Sequence, residues 1–285
     1  MSADVLEQRP MGAPPNTTRP AATFADKAWA ATWPKLLAVG IAIGVWQLVV
    51  WSGWKPEYLL PGPGPTFSRL WEAMSDPDGR LWEALVTTIR RGIFGFAIAL
   101  VIGSLLGMAV SQWRVLRAGV GSMITGLQTM PSVAWFPLAL LLFGLTESAI
   151  TFVIILGATP SIANGIIGGI DEVPPSLLRA GHMLGARGID RYRYVVLPAA
   201  LPSYVTGLKQ GWAFSWRSLL AGELLVTVPG VVSLGGDMSN ARNNGQPELL
   251  LALMIVILVI GMVVDSIFSA LAQHVRTRRG LTGFR

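Results

Sequence analysis

The sequence predicts an all-α integral membrane protein with six transmembrane helices and a short cytoplasmic helix between the fourth and fifth. Three observations predict it. Of 285 residues, 52% are hydrophobic and only 13% are charged, where a soluble domain carries about 25% charged residues. Uncharged runs recur at the length a hydrocarbon core of about 30 Å requires, about 20 helical residues. Lys and Arg gather in alternate connecting segments, which also accounts for the net charge of +6 and the sequence pI near 10.2 without nucleic acid. The chain has no Cys, so a disulfide scaffold and thiolate metal sites are excluded.

The first 34 residues carry Pro10, Pro14, Pro15 and Pro20. No helix runs through that spacing, so a disordered cytoplasmic tail is expected. The stretch lacks the basic start and apolar run of a signal peptide. Residues 35–272 hold the membrane bundle. Its expected spans are Leu36–Trp54, Gly92–Ser111 with a start near Trp82, an irregular helix over Ala118–Leu142 disturbed by Pro131 and Pro137, Ser148–Ile170, Leu197–Val228 and Leu249–Ala270. Residues 273–285 form a basic cytoplasmic tail. Gly40 and Gly44, Gly103 and Gly107, and Gly165 and Gly169 recur at helical spacing. They suit close packing within the chain, with contact between copies as the other use of such pairs.

Six spans place both termini on one side, and the positive-inside rule selects the cytoplasm. Inside segments would hold Arg9, Arg19, Lys27, Lys35, Arg114, Arg117, Arg179, Arg187, Arg191, Arg193, Arg276, Arg278, Arg279 and Arg285. Outside loops would hold only Lys55, Arg69, Arg80 and Arg242.

The segment 171–198 is the longest internal cytoplasmic loop. Ser176 follows Pro174 and Pro175 and is placed to cap a helix through Gly185. That helix has an apolar side too broad for a solvated surface, so something must cover it. Gly185 suits a left-handed turn. Arg179-Ala180-Gly181, three residues, Gly185, nine residues and then Val195-Val196-Leu197-Pro198 resemble the cytoplasmic loop of binding-protein-dependent ABC importer permeases. In that pattern Arg179 stands where the family has Glu, and Gly181 where it has a second Ala.

Further blocks strengthen the likeness. Thr88-Ile89-Arg90-Arg91-Gly92, Met130 to Leu138, Leu142-Phe143-Gly144, Ser215-Trp216-Arg217 and Ala221-Gly222-Glu223-Leu224 resemble the sulfonate, taurine and nitrate import permeases. The resemblance implies a permease subunit, not an enzyme. Its partners would be a second permease copy, two cytoplasmic ABC ATPase subunits and an extracytoplasmic solute-binding protein, in a bacterial cytoplasmic membrane. No cofactor would be bound by this chain, with ATP and Mg on the ATPases. The ATPase-coupling residues would be Arg179, Ala180, Met183, Leu184, Gly185, Arg187 and Pro198. The translocation-path residues would be Trp212, Trp216, Arg217, Glu223, Met130 and Pro131, with Arg217 alternatively a structural partner of a carboxylate such as Glu223 on a neighbouring or partner helix. The stretch Leu234 to Arg242 resembles the family's outer segment, either as a short helix touching the binding protein or as a solvated loop.

The chemistry the sequence lacks agrees with this. No Gly-x-x-x-x-Gly-Lys-Ser/Thr phosphate loop occurs. The only His residues, His182 and His274, fall outside the spans, so neither a metal site nor a triad within the bilayer is expected. An ion-coupled secondary transporter is the alternative class, but the halves show no repeat of the kind such carriers have. An importer permease for an uncharged vitamin or precursor is the other alternative. Lys209, Arg217 and Glu223 in the fifth span should face protein or water. Lys209, nearer the cytoplasm, is placed to snorkel. Arg217 and Glu223, six residues apart, lie about 120° apart around a helix and so do not form an intrahelical pair.

Overall fold

A computed structural model describes residues 24–76 and 79–278, and the described residues are almost entirely helical. The chain divides at Pro56. The first unit contains α1 (Phe24–Trp51), an apolar helix that ends where Gly53 turns at φ +68. α1 begins before the expected tail ends. Its first turns, Phe24-Ala25-Asp26-Lys27-Ala28-Trp29-Ala30-Ala31, are rich in the strong helix former Ala. Pro34 lies inside the helix, where it removes one hydrogen bond without ending it. Residues 1–23 of the expected tail lie outside the described residues.

The second unit opens with α2 (Pro63–Ser75), a helix in the stretch read as an outer loop. Pro63 sits at its first position, where no amide is needed. α3 (Arg80–Gln112) and α4 (Arg114–Thr129) follow. Met130 (ψ 129) and Pro131 (φ −58, ψ 131) then take extended conformations, as a residue before proline favours. A 3-10 turn over Ser132–Trp135 leads into α5 (Phe136–Phe143), which Gly144 ends at φ +67. The two halves of this expected third span meet at 105°, a sharper break than an irregular single helix.

α6 (Glu147–Asp171) and α9 (Leu197–Leu225) form the centre, joined by α7 (Pro175–Met183), α8 (Ile189–Arg191) and a π turn over Tyr192–Val196. α10 (Leu234–Asn243) and α11 (Pro247–Arg278) complete the unit. α11 continues as helix into the expected basic tail, and residues 279–285 lie outside the described residues.

Ile150, Val153, Ile154, Ala158, Ile162 and Ala163 make α6 the core helix, each no more than 1% exposed. Small residues set how closely its neighbours approach. A Cβ on Gly165 would stand 2.7 Å from the Cα of Gly207, so α6 and α9 meet backbone to backbone. A Cβ on Gly103 or Gly107 would stand 2.9 or 2.8 Å from the α6 backbone carbonyls of Thr159 and Ala163. A Cβ on Gly169 would stand 2.7 Å from the carbonyl oxygen of Ala200. These pairs therefore serve packing within the chain. Within the first unit, a Cβ on Gly40 or Gly44 would meet nothing within 4 Å among the described residues.

Among the described residues, α3, α6, α11 and residues 32–51 of α1 are long and apolar enough to cross a membrane, with the bent α4–α5 pair as a fifth candidate. α9 has the length, 29 residues, but Lys209, Arg217 and Glu223 reduce its apolarity.

Candidate functional site

At one end of the α6–α9 pair, α7 stands out as a short helix with bare apolar side chains. Pro174 precedes it without any side-chain cap, and Ser176 falls inside the first turn, so the expected Ser cap is not formed. Pro175 at the first position makes a cap on its own amide unnecessary. At the other end, Gly185 turns at φ +86. Its amide donates to His182 O (3.1 Å), and that of Ala186 donates to Gly181 O (2.9 Å). This is the Schellman pattern, which requires the left-handed residue. The helix thus stops at Met183 rather than at Gly185.

Gly181 is buried because Val195 of the π turn would lie 2.7 Å from a Cβ there. That contact seats α7 on the start of α9. Met183 and Leu184 point away, 81% and 89% exposed, and Ile189 is 83% exposed. Arg179 and Arg187 are also exposed, while Ala180 and Pro198 are partly covered. The sequence-expected coupling residues therefore share one segment, and its largest apolar side chains have no cover within the unit.

The expected path residues do not gather in one place. Trp212 and Trp216 stack at 6.3 Å between centroids and are buried within the protomer's own core, beside Phe96 and Leu219. Glu223 is enclosed as well. These three occupy the interior of the chain. Arg217 is exposed and forms no ion pair among the described residues. Its guanidinium lies 5.1 Å from the ring centre of Phe214. Phe214, Met130, Gln128, Ser132 and Gly157 border a narrow crevice beside the α4–α5 break. Met130 and Pro131 are exposed. Phe214 thus links the Arg217 face to the helix break. Lys209 does not snorkel freely: Asp265 (3.1 Å) and Ser269 (2.8 Å) of α11 hold it.

The structure adds a polar centre that sequence reading missed. Arg91 of α3, nearly buried, sends Nη1 to Glu223 Oε1 at 2.9 Å and its other edge, Nε and Nη2, to Glu147 at the start of α6. The Glu223 side chain is 0% exposed and that of Glu147 is 48% exposed. The Thr88 hydroxyl donates to Glu223 (2.9 and 3.0 Å) and accepts from the Leu234 amide (3.0 Å). The Gly235 amide donates to Glu223 Oε2 at 3.0 Å. Glu223 is therefore the anion bound at the N-terminus of α10, a position where free amides and the helix dipole favour negative charge.

A second tie joins α10 to α3, from Arg80 Nε to Asp237 Oδ1 at 2.7 Å. Burial pushes the Asp237 carboxyl above the usual carboxylate range, and the Arg80 guanidinium draws it back. The signal for this centre was present in Thr88-Ile89-Arg90-Arg91-Gly92, where a charge stands at the head of a long uncharged run. What the sequence withheld was which of the two arginines turns inward.

Comparison with known proteins resolves the class. Residues 99–277 match the family described as the inner membrane component of binding-protein-dependent transport systems. An aliphatic sulfonates transport permease protein of Escherichia coli K12 is 30% identical over 235 residues, 81% of this chain and 86% of the relative. A nitrate import permease protein of Leptolyngbya laminosa is 26% identical over 251 residues, 85% of this chain and 87% of the relative. Among solved structures, a methionine ABC transporter in an inward-facing conformation is similar in fold. It has a TM-score of 0.52 and 23% identity, over 68% of this chain and 94% of that one. The family match sets aside the ion-coupled secondary transporter.

Proposed function

Because the chain belongs to the inner membrane components of binding-protein-dependent transport systems, we propose that it forms half of the translocation path of an ATP-driven importer for a small anion of the sulfonate or nitrate class. Two copies pair in the membrane, with six spans each and both termini cytoplasmic. Two separate ATPase subunits bind ATP and Mg, and an extracytoplasmic binding protein delivers the solute. α7 is the coupling helix, which seats Met183 and Leu184 in a groove of the ATPase. The observation that carries this reading is that those two side chains are bare at a rigid turn fixed by Gly185.

Arg217 supplies the anion preference. A guanidinium exposed on a helix of this kind is costly in hydrocarbon, so it faces water or a partner. Its planar fork suits sulfonate, carboxylate or nitrate oxygens. Among the described residues no carboxylate occupies it, since Arg91 holds Glu223.

The test is Gly185→Val in the reconstituted complex. Valine at φ +86 is strained, and the turn that presents Leu184 is lost. The expected result is normal membrane insertion with loss of hydrolysis stimulated by the solute-loaded binding protein. Stimulated hydrolysis at the parent level would remove the coupling assignment.

A further inference from the structure

α3, α6 and α9 are locked together by backbone-close contacts. Gly103 and Gly107 meet α6, while Gly165 meets Gly207 and Gly169 meets Ala200 on α9, so these three helices have no free space in which to slide. α7 leaves the inner end of α6 and is seated through Gly181 on the turn that opens α9. α10 is fastened at the far end, where Thr88 and Glu223 take the amides of Leu234 and Gly235 and Asp237 takes Arg80. A Cβ on Gly235 would stand 2.5 Å from Glu223 Cβ, so α10 touches α9 without slack.

We propose that Thr88, Glu223 and Gly235 form a fixed outer joint, which makes α10 move with the α3–α6–α9 slab and so carries the displacement of α7 to the face that meets the binding protein. This rests on the importer reading above. Thr88 and Glu223 are positioning residues: they act through α10 and touch no solute. The joint is suited to the task because it is made of backbone amides gripped by buried groups. A surface contact between side chains would yield before it transmitted motion. α10 is held through two successive amides, Leu234 on the Thr88 hydroxyl and Gly235 on Glu223, which belong to two different helices, so no rotation of α10 keeps both. Arg80, Asp237, Asn240 and Asn244, which form one wall of a groove of about 450 Å³ facing α2, are carried with it.

The test uses the Cys-free chain in its complex with the ATPases, in lipid vesicles. A spin label at Asn243→Cys reports the outer end, and one at Asp190→Cys reports the inner end. Distances between the two copies are measured without nucleotide and after trapping with ATP and vanadate. In the parent, both distances shift on trapping, each by at least about 1–2 Å, the scale of helix shifts at interfaces. In Thr88→Val the inner distance still shifts, while the outer one broadens and stays in place. Thr88→Ser, which keeps the hydroxyl, restores the parent behaviour, a rescue that a merely volumetric role would not give.

Gly235→Ala, which wedges α10 from α9, reproduces Thr88→Val and serves if the valine chain fails to assemble. An outer shift that survives in Thr88→Val or Gly235→Ala overturns the joint, as does a parent whose inner distance moves while the outer one does not. A chain that gives no distance between copies, or binds no ATPase, overturns the importer reading instead.

Discussion

Replacing Arg91 by Leu leaves Glu223 buried with no cation beside it. Glu223 retains Thr88 and the Gly235 amide but loses the charge-assisted bond from Nη1. Breaking a buried pair from one side costs about 3–5 kcal/mol. The surviving donors soften this, so a loss near the lower end, about 3 kcal/mol, is expected. Glu147 adds little, because its half-exposed carboxylate returns to water.

The reverse change, Glu223→Leu, leaves Arg91 paired with Glu147. It orphans the Gly235 amide and should cost about 1–3 kcal/mol. The double variant removes both charges and should cost less than the two single losses together, by about 2 kcal/mol. Unfolding of the detergent-solubilised chain, followed by the fluorescence of buried Trp212 and Trp216, gives all three values. If the losses simply add to within about 0.5 kcal/mol, the residues do not act as a pair and the assignment of the centre is wrong.

Gly165→Ala sets a Cβ 2.7 Å from the Cα of Gly207, and a backbone atom cannot step aside. A loss of about 1–3 kcal/mol in the same unfolding assay is expected, and a neutral result would contradict the close approach of α6 and α9. Arg217→Gln should leave an assembled complex that hydrolyses ATP but takes up less sulfonate or nitrate in vesicles. Unchanged uptake kinetics would dismiss it from the path. For topology, an impermeant thiol reagent applied to intact cells should label a cysteine at position 240 and not one at 185; the opposite pattern would invert the orientation.

Much of the fold is legible because hydropathy is a local property. Uncharged runs locate α3, α6 and α11, and the pair Met130-Pro131 marks the break before α5, though not its angle. Gly185 was readable as a left-handed turn because few other residues adopt it. The helical start at Phe24 was hidden by the prolines before it, and the cap of α7 by a Ser that the preceding prolines make unnecessary. The polar centre was hidden for a different reason. Whether Arg90 or Arg91 turns inward depends on the rotation of α3 against α6 and α9, which only the packed glycines determine. Trp216 is expected on a path because it stands beside Arg217 in sequence, and Trp212, four residues earlier, shares its helix face. On the helix they fall toward the core while Arg217 falls outside.

Synthesis runs from the N-terminus, so Arg91 reaches the bilayer long before Glu223 has been made. After α4 and α5, α6 begins with Glu147, whose carboxylate meets the Nε and Nη2 edge of Arg91 and leaves Nη1 free. Glu147 is thus the early counter-ion, present while the nascent chain still lacks α9. When α9 enters, Glu223 arrives as an unaccompanied carboxylate and finds Nη1 and the Thr88 hydroxyl waiting. Its last donor, the Gly235 amide, comes only when the following dozen residues have emerged and coiled. Arg91 thus gains Glu147 before Glu223 is made, and Glu223 enters with Arg91 and Thr88 already in the chain ahead of it.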